Sequence, residues 1–299
     1  MSILSRYNST LLEPIPHGTP ERPLEEMCFP FSKESSCGGT FSLDQHWHPE
    51  IEILYIEEGE FSGEVNLDQG ILHPGDFMFA GSQDLHALKG LCEKSLHEAL
   101  IFHPKVLSFS YGDELQQTLI SPLLSGSITF PHFFKPEDSG YEQIAPLLLE
   151  VFHIAKNQSE NWYIDCKLLL IKILYLMNQN GILLPTKSLL SSNELQKIER
   201  YKLLTSYMDD HLSEPISLDE LASLTATNPG YLCRFFKEIS GISPIQYLIN
   251  RRIEMAASLL RESNRSVLEI AMDCGFENVS YFIRKFKQKK GCTPGEYRK

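Results

Sequence analysis

The stretch His46-Trp47-His48-Pro49-Glu50-Ile51-Glu52 places two imidazoles and two carboxylates within seven residues. On an extended strand, side chains two apart share a face, so His46, His48 and Glu52 can converge. His86, on a later strand, completes three imidazoles and one carboxylate, a donor set suited to Fe, Mn, Ni or Zn. A second kind of chemistry lies near the C-terminus, where Arg and Lys recur on a duplicated sequence. Tyr231-Leu232-Cys233-Arg234-Phe235-Phe236-Lys237 returns fifty residues later as Tyr281-Phe282-Ile283-Arg284-Lys285-Phe286-Lys287. Guanidinium and ammonium groups at repeated spacing suit a target that itself repeats, such as successive major grooves of DNA.

The elements that must position these groups differ between the two halves. From Phe41 to His103 the chain reads as short β-runs: Ile51–Ile56, Phe61–Leu67 and Asp76–Ala80 are expected strands, with Glu58-Gly59, Asp68-Gln69-Gly70 and Pro74-Gly75-Asp76 as turns. Many short strands at this spacing predict a barrel or jelly roll ending near Pro136. Two helices follow, 141–156 and 161–179. Their apolar residues are too many for a single stripe, so each packs against something on more than one side. Residues 181–193, with Pro185, Thr186 and several serines, read as a linker.

Each C-terminal repeat opens with a capping box, Ser217-x-x-Glu220 and Ser266-x-x-Glu269. A short apolar helix, a polar break and a second helix follow in both copies, which is the helix-turn-helix arrangement. Pro244 to about Ser263 reads as one connecting helix. At roughly 18 residues it would be about 27 Å long, against about 34 Å for one turn of DNA.

Composition bounds the function. The 299 residues are long enough for two domains, and 42% hydrophobic with 22% charged residues is typical of a globular protein. The formal net charge is −12, but it is unevenly spread. From Asn193 onward there are 16 Lys and Arg against 14 Asp and Glu, a net of +2; the first 192 residues hold 11 against 25, a net of −14. Any DNA contact therefore falls to the C-terminal half, where Arg284, Lys285, Lys287, Lys289 and Lys290 run without an intervening acid. Seven scattered cysteines (28, 37, 92, 166, 233, 274 and 292) form no CxxC pair, and Met1–Thr10 do not read as a leader. The apolar stretch 168–184 contains Lys172 and reads as a buried helix rather than a membrane span. Together these features predict a cytoplasmic location.

Residues 197–299 resemble the DNA-binding domain of the AraC/XylS family of bacterial transcription regulators. The resemblance is carried by Ile270-Ala271, Cys274-Gly275-Phe276, Tyr281-Phe282, Arg284, Phe286-Lys287, Gly291-Cys292-Thr293-Pro294 and Tyr297-Arg298. It implies that the helices beginning at Pro229 and Asn278 enter successive major grooves. Gly230, Cys233 and Arg234 would then face outward from the first, and Val279, Ser280, Ile283 and Arg284 from the second. Arg234 and Arg284 suit O6 and N7 of guanine, whereas Lys237, Lys285 and Lys287 suit phosphate. Tyr231, Phe236, Phe276, Tyr281 and Phe286 are expected in the core.

The N-terminal stretch resembles the cupin motif, with His46, His48, Glu52 and Gly59 in its first part and Pro74-Gly75-Asp76 and His86 in its second. Gly81 and Gln83 stand where the second part usually has Pro and Gly. The resemblance implies a barrel used as an effector pocket lined by His46, Trp47, His48, Glu50, Glu52 and His86. A divalent metal on His46, His48, Glu52 and His86 is the alternative use. Trp47 and Tyr55 suit the apolar face of a sugar.

The fold class expected is α+β multidomain: an N-terminal cupin-like β-barrel (jelly roll) with a helical segment, and a C-terminal all-α double helix-turn-helix. The boundaries are 1–137 for the sensing domain, 138–182 for a helical packing and dimerisation segment, 183–193 for the linker and 194–299 for the DNA-binding domain. Within the last, the motifs span 217–240 and 266–290 with the connecting helix at 244–262. The function expected is a DNA-binding regulator, not an enzyme, that senses a small molecule, with a carbohydrate as the leading class. Its partners would be double-stranded operator DNA, a second copy of the chain and, for an activator, RNA polymerase. The alternative is a metal-dependent cupin oxygenase or isomerase with an appended DNA-binding domain.

Overall fold

The computed structural model describes residues 17–32 and 41–298, which separate into two compact units, one running to Glu194 and one from Leu195. The first ten residues and Cys37 lie outside the described residues. Among the described residues, no helix is long and apolar enough to cross a membrane.

The first unit is built on eight strands: β1 (Leu24–Ser32), β2 (Ser42–His46), β3 (Ile51–Glu58), β4 (Phe61–Val65), β5 (Asp68–Leu72), β6 (Phe77–Ala80), β7 (His86–Gly90) and β8 (Lys94–Phe102). Two-residue strands β9 (Ile128–Thr129) and β10 (Phe133–Phe134) lie between a single-turn helix α1 (Ser121–Leu124) and the helical segment. Hydrogen bonding orders one sheet as β1-β8-β3-β6-β10 and the other as β2-β7-β4-β5. They face each other in the jelly-roll manner expected. A Cβ on Gly63 of β4 would lie 2.7 Å from Met78 Sδ on β6, so a larger residue there would displace the Met78 side chain.

Strand alternation sorts the side chains of the larger sheet. Ile51 and Ile53 of β3, Phe77 and Phe79 of β6, and Leu100 and Phe102 of β8 face outward into the main apolar core. There they meet α2 (Tyr141–Asn157) and α3 (Trp162–Gln179), which bring Ile144, Leu148, Phe152, Leu170, Ile173 and Met177. The opposite face of the same strands, with Glu52, Ser95 and His97, is directed toward the second sheet. Both helices thus use one face on the barrel. Leu149, Ile164, Leu168 and Tyr175 remain exposed on them.

The segment 183–193, expected as a linker, is built into this unit. Leu184–Pro185 form β11, paired with β9, and Thr186–Leu189 form α4. Thr186 Oγ1 donates to the Gly126 carbonyl at 2.6 Å, and Leu183 and Leu190 are buried. The Pro and Thr content is that of a turn, but the leucines beside it find apolar partners.

The second unit contains α5 (Ser192–Asp210), α6 (Leu218–Leu224), α7 (Pro229–Ser240), α8 (Pro244–Glu262), α9 (Val267–Asp273), α10 (Val279–Lys290) and α11 (Pro294–Tyr297). Both capping boxes form, at Ser217/Glu220 and Ser266/Glu269. Asn228 and Asn278 cap the two longer helices by accepting from Tyr231 and Tyr281 backbone N–H groups at 2.9 Å. The connecting helix α8 packs Ile253, Ala256, Ala257 and Leu260 against Ile270, Ala271, Phe276, Phe282 and Phe286. In the first module Tyr201 of α5 stacks edge-on against Phe236 of α7, ring centroids 4.8 Å apart.

Candidate functional sites: a buried His/Glu cluster and a duplicated basic helix

His46 ends β2, His48 lies in the turn to β3, Glu52 is the second residue of β3 and His86 opens β7. The structure brings all four together, with one ligating atom from each within 4.8 Å of the others. Each is less than a tenth exposed. Glu52 Oε2 stands 2.8 Å from His86 Nε2 and 3.2 Å from His48 Nε2. The turns carrying the ligands are tied together, since Gln83 N donates to the His48 carbonyl at 2.8 Å and Ser82 Oγ to the Pro49 carbonyl at 2.7 Å. Gln83, standing where the cupin pattern departs, takes a left-handed φ of +67°. The backbone turn survives the change of residue.

The second layer of contacts settles the tautomers. His46 Nδ1 faces the Asp44 carbonyl at 3.0 Å and His86 Nδ1 faces the Asp84 carbonyl at 2.8 Å. A carbonyl can only accept, so both Nδ1 atoms carry hydrogen; His46 then keeps its Nε2 lone pair toward the cluster, whereas the His86 Nε2 bond to Glu52 requires a second proton on that ring. Glu50, 8% exposed, supports His48 from behind at 3.5 Å. This is how protein metal ligands are oriented, and the four residues fit a divalent first-row ion. Burial alone would raise the Glu52 carboxyl, but the His48 and His86 hydrogen bonds outweigh it and hold Glu52 well below the usual range. Burial disfavours charge on His86, yet its bond and charge contact with Glu52 raise it above an ordinary imidazole. Burial, with the neighbouring His86, drives His46 well below normal.

Two further features were missed in the sequence. His97 of β8, 1% exposed, lies among Phe29, Phe41 and Phe61 at ring distances of 4.9, 4.6 and 5.2 Å. Burial there pushes its pKa down to about 4. A cleft of about 430 Å³ opens beside Glu50, lined also by His17, Pro23, His103, Lys105 and Tyr163. Only strand alternation could have signalled His97, and nothing in the sequence signals the cleft. Trp47 is half-buried between two of the ligands in sequence.

In the second unit, the outward positions divide. Gly230, Arg234, Lys237, Ser280, Ile283, Arg284 and Lys287 are exposed, whereas Cys233, Val279 and Lys285 are half-buried. Val279 packs on the edge of the second module's core. The Lys285 ammonium lies 5.7 Å from the Tyr281 ring centre, and the Arg284 guanidinium 5.3 Å. Stacking on that ring restrains Arg284. Phe236, Phe276 and Phe286 are core residues, while Tyr231 and Tyr281 are half-buried.

Comparison with known proteins places this geometry among regulators. Residues 221–299 match the helix-turn-helix domain family described as HTH_18. Along nearly its whole length the chain is similar to YdeC of Bacillus subtilis, named as an uncharacterized HTH-type transcriptional regulator. The two are 26% identical over 297 residues, covering 98% of this chain and 97% of the relative. It is also 26% identical over 257 residues to the HTH-type transcriptional activator RhaS of Escherichia fergusonii, covering 86% of this chain and 88% of the relative. Among solved structures, the DNA-binding domain of AdpA in complex with a target DNA is 29% identical. That match covers 33% of this chain and 89% of the other, with a TM-score of 0.32.

Proposed function

We propose that this chain, similar along most of its length to helix-turn-helix transcription regulators and resembling the AraC/XylS type, has α7 and α10 as its two DNA-reading helices and the β-unit as its sensor. The observation that carries this is the duplication itself: two helices with the same Asn cap and the same Arg-x-Phe-Lys spacing expose Arg234 and Arg284 at equivalent positions. Arg234 and Arg284 read guanine, and Lys237, Lys285 and Lys287 take phosphates. Gly230, Cys233, Val279, Ser280 and Ile283 shape the fit to the groove. Relatives matched over most of the chain are named transcriptional regulators, so the cluster belongs to a sensor rather than to an enzyme.

The sensor takes a small polar molecule, with a carbohydrate as the leading class, at the cluster formed by His46, His48, Glu52 and His86 and supported by Glu50 and Trp47. A divalent ion held by the four would supply coordination positions for the oxygens of such a ligand. The chain's own groups orient the imidazoles, through the Asp44 and Asp84 carbonyls, and keep water out. Binding shifts the regulator only by its differential affinity for two placements of the DNA-binding units. The exposed Leu149, Ile164, Leu168 and Tyr175 support a homodimer through α2 and α3. RNA polymerase is the further partner if the regulator activates, and the free cysteines among the described residues suit a reducing cytoplasm.

Selection of tight-binding duplexes from a randomised pool tests the reading. Two adjacent major-groove footprints on one face, weakening steeply with salt, are expected; a sequence-blind or salt-insensitive interaction overturns it. A thermal-shift screen of simple sugars with and without EDTA tests the sensor. A sugar at a hundred times its Kd should add about 2.7 kcal/mol.

A further inference from the structure

The two reading modules meet at one arginine of the helix that joins them. Arg252 of α8 donates from Nε to the Leu212 carbonyl at 2.8 Å and from Nη2 to the Glu214 carbonyl at 2.5 Å, both just beyond the end of α5. Its remaining nitrogen, Nη1, donates to the Gly275 carbonyl at 2.7 Å, in the turn of the second module. The guanidinium also covers the Phe276 ring, 6.0 Å from its centre. These carbonyls follow the C-terminal ends of α5 and α9, where helix dipoles favour a cation. Gly275 is required beneath it for two reasons. Its φ is +76°, and a Cβ there would sit 2.6 Å from the Leu212 carbonyl oxygen and 2.8 Å from Arg252 Cζ. Around this point a cleft of about 620 Å³ lies between the modules, with Ser213, Ile216 and Glu220 on one wall and Met272, Asn278 and Tyr281 on the other.

We propose that Arg252 is the positioning residue that sets the angle between α7 and α10, and thereby the spacing of the two DNA boxes the chain accepts. The first module is tied to it through α5, which packs on α7 by Tyr201 against Phe236 and by the Lys197–Glu238 ion pair at 2.6 Å. A lysine cannot replace it, because a compact ammonium lacks the planar fork that reaches three carbonyls at once. The inference rests on α7 and α10 being the reading helices.

The test uses the full chain and a duplex selected by the wild type, rebuilt as a ladder with the distance between boxes changed by one or two base pairs. The wild type is expected to lose roughly tenfold in affinity per step, the scale of one mismatched contact. Arg252→Gln and Gly275→Ala should flatten the ladder while keeping binding to each box, and Arg252→Lys, which retains the stem and the charge, should flatten it too. A uniform drop at every spacing with a lowered Tm would mean a merely structural role and overturns the proposal. So does an unchanged spacing optimum in Arg252→Lys, and in that case the two-helix reading stands. A wild type that contacts a single box fails both, and the footprint identifies that outcome.

Discussion

The two units make their chemistry in opposite ways. In the β-unit, four buried side chains from β2, the β2–β3 turn, β3 and β7 meet, and His46 and His86 each have a backbone carbonyl behind them. In the helical unit, Arg234, Lys237, Arg284 and Lys287 are exposed, carried by single helices, and repeated fifty residues apart. The first arrangement is a network whose members depend on one another, because an unpaired charge in a low-dielectric interior is costly. The second is modular, so a change at one position should stay local.

The largest expected effect follows from that difference. Glu52→Ala leaves the raised His86 imidazole without its carboxylate, and breaking a buried pair in this way costs about 3–5 kcal/mol. Chemical denaturation should show an earlier transition for the β-unit and none for the helical unit. If the β-unit is as stable as before, the cluster is not a coupled network. Its sharper form is pH dependence through His97, held neutral by burial with a pKa of about 4. The unfolded chain takes up a proton near pH 6.5 that the folded imidazole refuses until about pH 4. Stability is therefore full above about 6.5 and lost as pH falls through that window, on the order of 2 kcal/mol by pH 5. His97→Phe should remove this share; an identical pH profile in the variant would show that the imidazole is not held neutral.

On the exposed side, Arg284→Ala is expected to weaken cognate binding by about 1–3 kcal/mol and relax one base position. Lys287→Ala should weaken all sequences alike and lower the salt slope by about one. If Arg284→Ala leaves base preference intact, its restraint over Tyr281 serves packing rather than reading.

The same contrast decided what could be read in advance. Caps, breaks and apolar stripes are local, so the helices at 229–240, 244–262 and 279–290 fall within a residue or so of where the pattern puts them. His46, His48 and Glu52 were legible because two-residue alternation is also local, and His86 because the cupin resemblance pointed to it. Long-range partners were not legible. β1 carries Pro30, which argues against a strand until β1 proves to be the edge of its sheet. The leucines around Pro185 look like linker residues until β9 pairs with them. His97 and Arg252 owe their roles to neighbours far away in sequence, Phe29 and Phe61 for one and Leu212 and Gly275 for the other.

The smallest prediction tests modularity most directly. Ser217 and Ser266 each accept from the N–H of a glutamate three residues on, at 3.1 and 3.2 Å, and each glutamate reaches back to the serine N–H. Removing such a hydroxyl exposes one helix-end donor and costs about 1 kcal/mol. Since both boxes are solvent-exposed and built from the same two residues, Ser217→Ala and Ser266→Ala should lower the Tm of the helical unit equally, and the double variant by their sum. A clear inequality would mean that the surroundings, not the repeat, set each module's stability. Non-additivity would mean that the two caps, though far apart, share a network or a backbone shift through α8.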